Sequence, residues 1–228
     1  DMIGNENIYN RTISTSLASE NEVFNDILPY GLATFNRVGA YGKLQFQSKN
    51  KIHVQAEVYR LNEIRGQGSD ALKAFSQVKL NSKIPFHTLI GLANKFEVQL
   101  GLRLQQTTRN SIYATENIDY KNLQLSLGLN YEIIPDLELL AGFVQQQNNG
   151  NSFITERNEY SEVTYFRNSN YNLSQQIAAV GLRINFSPKA YLCALLQQSS
   201  YQDRSSLNNK AMADFKINQF GLIYNILL

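Results

Sequence analysis

The chain has 228 residues, with 21 Lys and Arg against 19 Asp and Glu, a formal net charge of +2 and a mean hydropathy of −0.32. That length fits one all-β domain over residues 1–228, and a near-neutral charge without a basic cluster argues against a nucleic-acid partner. No run of roughly 18 apolar residues exists to form a transmembrane helix, and the single cysteine, Cys193, excludes an intramolecular disulfide framework.

In chain order, residues 7–18 (NIYNRTISTSLA) read as a first strand and 20–34, with Pro29, as a loop. A strand over Asn36–Gln47 meets the tight turn Ser48-Lys49-Asn50, and Lys51–Leu61 returns as its partner. In that return strand Ile52, Val54, Ala56 and Val58 alternate with His53, Gln55, Glu57 and Tyr59, the period of a strand with two unlike faces. A polar loop over 62–72 leads to a strand over Lys73–Lys83, and the connection 84–94 holds a short helical turn after Pro85.

Two strands then show period two without a break. Phe96, Val98, Leu100, Leu102 and Leu104 alternate with Glu97, Gln99, Gly101, Arg103 and Gln105; after a loop over 107–120, Leu123, Leu125, Leu127, Leu129 and Tyr131 alternate with polar or small residues. Ile134-Pro135-Asp136 turns the chain, with proline where no ladder donor is needed. Residues 137–147 return with both faces partly apolar. A long loop over 148–173 carries the aromatics Phe153, Tyr160, Tyr165, Phe166 and Tyr171, and its EVTYFRN segment extends the hairpin as sheet. Gln175–Phe186, the turn Ser187-Pro188-Lys189 and Ala190–Tyr201 form the next hairpin, with Cys193 reading as a packed, inert thiol. A loop over 202–212 precedes the last strand, Ala213–Leu228, in which Phe220, Leu222, Tyr224, Ile226 and Leu228 share one face.

Counted back from the C-terminus, the short turns at 187–189, 134–136 and 48–50 fall at one end of the sheet. The longer loops fall at the other. About ten strands of the length that crosses a bilayer, with this asymmetry, predict a transmembrane antiparallel up-and-down β-barrel (roughly 8–12 strands). Phe46, Phe96, Tyr131, Phe186 and Tyr224 would form an aromatic girdle at the short-turn rim. Core packing of a soluble barrel is the competing account of the same aromatics.

At the C-terminus, Gln219, Gly221, Tyr224 and Ile226 fit a polar-x-Gly-x-x-hydrophobic-x-hydrophobic pattern. In this motif, and in its strand pattern over 36–228, the chain resembles small Gram-negative outer-membrane β-barrel proteins. Many of those end on an aromatic residue, whereas this chain ends on Leu228. The resemblance implies location in the cell outer membrane with both termini periplasmic, and the lipid bilayer as surroundings. It also implies recognition of those four residues by the barrel-assembly machinery.

With the apolar parity outside, the other parity lines the interior. Its polar network is Lys43, His53, Glu57, Glu97, Arg103, Glu132 and Arg183, joined by Gln45, Gln55, Tyr59, Lys95, Gln99 and Glu138. Charges of both signs in so narrow a space should pair, because an unpaired buried charge is costly. About ten strands imply a lumen largely filled by side chains, since an open porin needs roughly sixteen. This predicts a plugged, non-catalytic accessory or scaffold subunit of a larger outer-membrane complex, with a narrow path for ions or small solutes as the alternative. The aromatics of the 148–173 loop either contact such a partner or pack over the barrel mouth.

A hydrolase of the omptin or lipase kind is the third reading. It needs a histidine at the loop rim, but His53 and His87 both fall at the short-turn rim. No GxSxG or HExxH motif is present. Glu156, Glu159 and Glu162 lack the glycine pattern of a calcium loop. The sequence therefore predicts no catalytic residue, no metal ligand and no cofactor.

Overall fold

The computed structural model describes residues 36–66, 70–157, 159, 163–187, 190–204 and 214–226. Among them are nine strands: β1 (Arg37–Gln47), β2 (His53–Glu63), β3 (Ala74–Pro85), β4 (Phe96–Arg109), β5 (Ile118–Ile134), β6 (Leu137–Arg157), β7 (Val163–Ser187), β8 (Ala190–Asp203) and β9 (Asp214–Ile226). They form a single sheet in the order of the chain, each strand antiparallel to the next. The sheet is an up-and-down meander, and β1 and β9 are not paired with each other among the described residues. The strand expected over 7–18 and the loop over 20–34 lie outside the described residues.

Among the described residues, helical structure is confined to one short helix, α1 (Phe86–Ile90), and a 3-10 turn at Ala114–Glu116. The helix after Pro85 is where the sequence places it. Gly91 ends it in the left-handed region (φ 70°), a conformation that suits a residue without Cβ. Thr88 Oγ1 donates to Asn50 O at 3.2 Å, which ties this connection to the β1–β2 turn.

The largest difference from the sequence pattern is in the stretch 148–173. It is mostly strand, because β6 and β7 stay paired from Leu137↔Ile184 up to Arg157↔Val163. Similarly, β4 continues to Arg109 and β5 begins at Ile118, which shortens the loop expected over 107–120. The long hairpin leaves the common height of the sheet at Gly150. Its φ is +115°, and a Cβ there would lie 1.9 Å from Asp119 O. Next to it, Asn151 Oδ1 accepts from Asp119 N (2.8 Å), and its Nδ2 donates to Asn117 O (2.8 Å), closing the start of β5.

The two faces of the sheet reverse the distribution of a water-soluble core. On one parity, Leu44 is 77% exposed, Phe220 69% and Leu182 46%. On the opposite parity, Glu57, Glu97, Gln99 and Glu138 are buried, and Asn148 is only 1% exposed. Apolar residues on that buried parity (Phe75, Ile118, Tyr120, Val144 and Leu195) fill the space between the polar ones. Exposed large apolar surface and buried polar groups are the informative departures from ordinary burial.

Candidate functional site

Cross-strand register sets the buried polar parity into rows that run around the sheet. Near the short-turn rim the rows are held by ion pairs between neighbouring strands. Lys83 Nζ lies 3.0 Å from Glu97 Oε2 across β3 and β4, and Lys43 Nζ lies 4.0 Å from Glu57 Oε1 across β1 and β2. Arg183 on β7 pairs with Glu138 on β6, whose other oxygen accepts from Asn185 Nδ2 at 3.1 Å. The Arg183 guanidinium also lies 5.6 Å from the centroid of the Tyr191 ring. Glu57 accepts from Gln55 Nε2 (2.5 Å) and Tyr59 OH (3.1 Å), so its carboxylate is surrounded by donors.

Of the seven residues expected in the interior network, Lys43, Glu57, Glu97 and Arg183 thus take part in charge pairs. Glu132 Oε2 instead accepts from the Lys95 backbone N at 3.2 Å, and His53 stands opposite Gln47 and Lys83 in the register. Arg103 sits at the middle height, opposite Lys79 on β3 and Gln124 on β5.

Towards the loop rim, amides replace charges. Gln105 Nε2 donates to Gln77 Oε1 at 2.6 Å, and Asn122 Nδ2 donates to Gln105 Oε1 at 3.1 Å. Buried atoms without a protein partner collect here: Arg103 Nε, Asn122 Oδ1, Gln124 Oε1, Gln146 Nε2 and Asn148 Oδ1. They occupy two adjacent rows, Lys79-Arg103-Gln124-Gln146-Gln175 and Gln77-Gln105-Asn122-Asn148. Unsatisfied buried groups are rare in native proteins, and a cluster of them on one wall suits enclosed water or a polar ligand. At the loop end, Arg109 Nε donates to Glu116 O at 2.8 Å. Burial lowers the pKa of its guanidinium, while Glu116 and Glu63 oppose that shift.

The amide rows were not singled out by sequence reasoning. Their signal is present on the even positions 122, 124, 146 and 148 and on Gln77, but the apolar alternation that marks a strand's two faces fades above Leu104 and Leu123. Lys79 is inconspicuous for the same reason: only Val78, Leu80 and Ile84 give β3 an apolar face.

The two histidines are both at the short-turn rim. His87 Nδ1 donates to Phe96 O at 3.0 Å, which fixes the ring against the start of β4. Among the described residues no group of three or more His, Cys, Asp or Glu converges as a metal site would require. Cys193 is buried on the inner parity of β8.

The outer face carries the expected aromatics at that same rim. Phe96 lies 5.8 Å from Phe86 and 6.1 Å from Tyr131 between ring centroids, and Phe46, Phe186 and Tyr224 are exposed on the same parity. Gln219, Gly221, Tyr224 and Ile226 all lie on β9, an edge strand among the described residues, with Gln219 and Gly221 on the inner parity and Tyr224 on the outer. In the long hairpin, Phe153 and Phe166 take register positions of one parity and Tyr165 and Tyr171 of the other. Tyr160 lies outside the described residues. Comparison with protein-family models, curated proteins and solved structures finds no match.

Proposed function

We propose that the chain is an integral outer-membrane β-barrel, its interior filled by its own polar side chains, serving as a non-catalytic accessory or scaffold subunit of an outer-membrane complex. The observation that carries this reading is the reversal of the two faces, apolar and exposed on one, polar and buried on the other. On β5 the apolar parity runs from Leu123 to Ile133. At about 3.3 Å per residue this covers roughly 33 Å along the strand. A strand tilt of about 40° reduces that to roughly 25 Å, the height of an outer-membrane barrel's apolar band.

Closure of the barrel follows from direction. With nine antiparallel strands in chain order, β1 and β9 run the same way, so pairing them directly would be parallel. One more strand, antiparallel to both, closes the sheet with a uniform ladder.

The class is tested by gel migration of the detergent-folded protein with and without boiling. A barrel migrates apart from its heated form, whereas extraction into aqueous buffer without detergent would refute membrane insertion. A second reading, a narrow path for ions or small solutes, is favoured by the unpartnered atoms on the inner wall. Discrete single-channel steps in a planar bilayer would select it over the plugged scaffold.

A further inference from the structure

Among the described residues, two cations on the inner parity make no ion pair. Lys79 and Arg103 stand directly opposite each other across β3 and β4, on the inner parity. Like charges in that position repel. Their outward neighbours Val78, Leu80 and Leu104 are exposed apolar residues, so the two cations lie at the height of the apolar band. Glu57, opposite Lys79 on the other side, directs its oxygens to Lys43, Gln55 and Tyr59. Among the described residues neither Lys79 nor Arg103 has an ion pair with an acid, and Arg103 Nε is buried with no acceptor.

Both cations are partly buried, and a partly desolvated cation without an ion pair is costly, the more so with a like charge beside it. The next residues along the row are amides. Gln146 Nε2 is a second buried donor without an acceptor, and Gln124 presents a buried Oε1 that a rotation of the amide would exchange for its NH2. A planar guanidinium fork, an ammonium group and amide donors on one wall are the chemistry that recognises a small oxyanion.

We infer that the inner wall holds a small inorganic oxyanion between Lys79 and Arg103, with the Gln124 and Gln146 amides as further donors. The site lies in the interior of the proposed barrel and rests on that reading. The anion neutralises the charged row that the fold itself leaves uncompensated. In a conducting lumen the same pair would favour anions over cations.

The experiment uses the full chain folded in detergent, with the temperature at which the heat-modifiable band is lost measured in phosphate and in chloride at equal ionic strength. Phosphate tenfold above its dissociation constant should raise that temperature by about 3 °C or more, as expected for a ligand that binds only the folded state. Arg103→Gln and Lys79→Gln should each abolish the increment, while Lys49→Gln, on the exposed β1–β2 turn, should keep it. If Arg103→Gln does not fold, Lys79→Gln and isothermal titration of the unaltered protein with phosphate decide the matter. Wild type that is heat-modifiable but indifferent to phosphate, or glutamine variants that retain the increment, overturns the site alone. Wild type with no heat-modifiable form overturns the barrel and the site with it.

Discussion

Single positions on the two faces should respond to substitution in opposite ways. Leu182 is midway along the apolar stretch of β7 and is about half exposed. On a water-facing surface Leu182→Arg would shift stability by roughly 0.5 kcal/mol or less, but facing lipid it should cost about 2–4 kcal/mol. Urea unfolding in liposomes measures the difference. On the inner wall, Glu138→Gln leaves Arg183 without its carboxylate. We expect a loss of about 2 kcal/mol, below the range for fully buried pairs because the Arg183 side chain keeps some contact with solvent. Gly150→Ala meets both a positive φ and the Asp119 carbonyl, and should destabilise the folded form by about 1–3 kcal/mol in the same assay. Legibility at this scale was uneven. Glu57, Glu97 and Arg183 could be read as paired because their strands alternate cleanly, but which cation each acid takes depends on register, and so Lys83 as partner of Glu97 was not visible.

At the scale of elements, the strands on which lipid would impose a period of two were legible to within a few residues. Those above the apolar band were not. The stretch 148–173 reads as a loop in sequence, yet it is paired strand. Under the proposed reading, water meets both faces of the ribbon beyond the apolar band, so alternation disappears while backbone pairing persists. Only the EVTYFRN segment kept enough β-branched and aromatic residues to show it. The turns were located better than they were shaped. The β1–β2 turn extends past Asn50 to Lys51, which is left-handed (φ 60°), with Ser48 N donating to Ile52 O at 2.9 Å. Replacing 151–170 with a short turn removes the part of the hairpin above Gly150. If that part contacts a partner, the shortened protein should remain heat-modifiable but no longer co-purify with a larger complex from native membranes; undiminished co-purification would count against the hairpin as the contact.

For the whole molecule, the tight turn at Pro135 was readable because turn length and proline position are local properties, but the rims differ less than the sequence predicts: the connection 86–95 lies at the short-turn rim, and most of 148–173 is strand. The sequence predicts a closed barrel, whereas among the described residues the sheet is open, with β1 and β9 unpaired; closure rests on pairing between distant segments, which no local pattern encodes. The filling of the interior was only partly legible. The apolar residues on both faces of 137–147 include Val144, which is buried on the inner parity, but the amide rows lie on stretches without an apolar pattern.

Chain-order pairing also determines how the sheet can form. Each of the eight ladders joins strands adjacent in sequence, so every one of them closes a short loop and forms early and cheaply in chain entropy. Closing the proposed barrel is the exception, since it alone must bring the two edges of the sheet together. Contact order is thus low throughout the described sheet, and the closing step of the proposed barrel should govern the rate of insertion. Substitutions at mid-sheet turns such as Pro135-Asp136 should then mainly speed unfolding, whereas those on β9, such as Gly221→Val, should mainly slow folding.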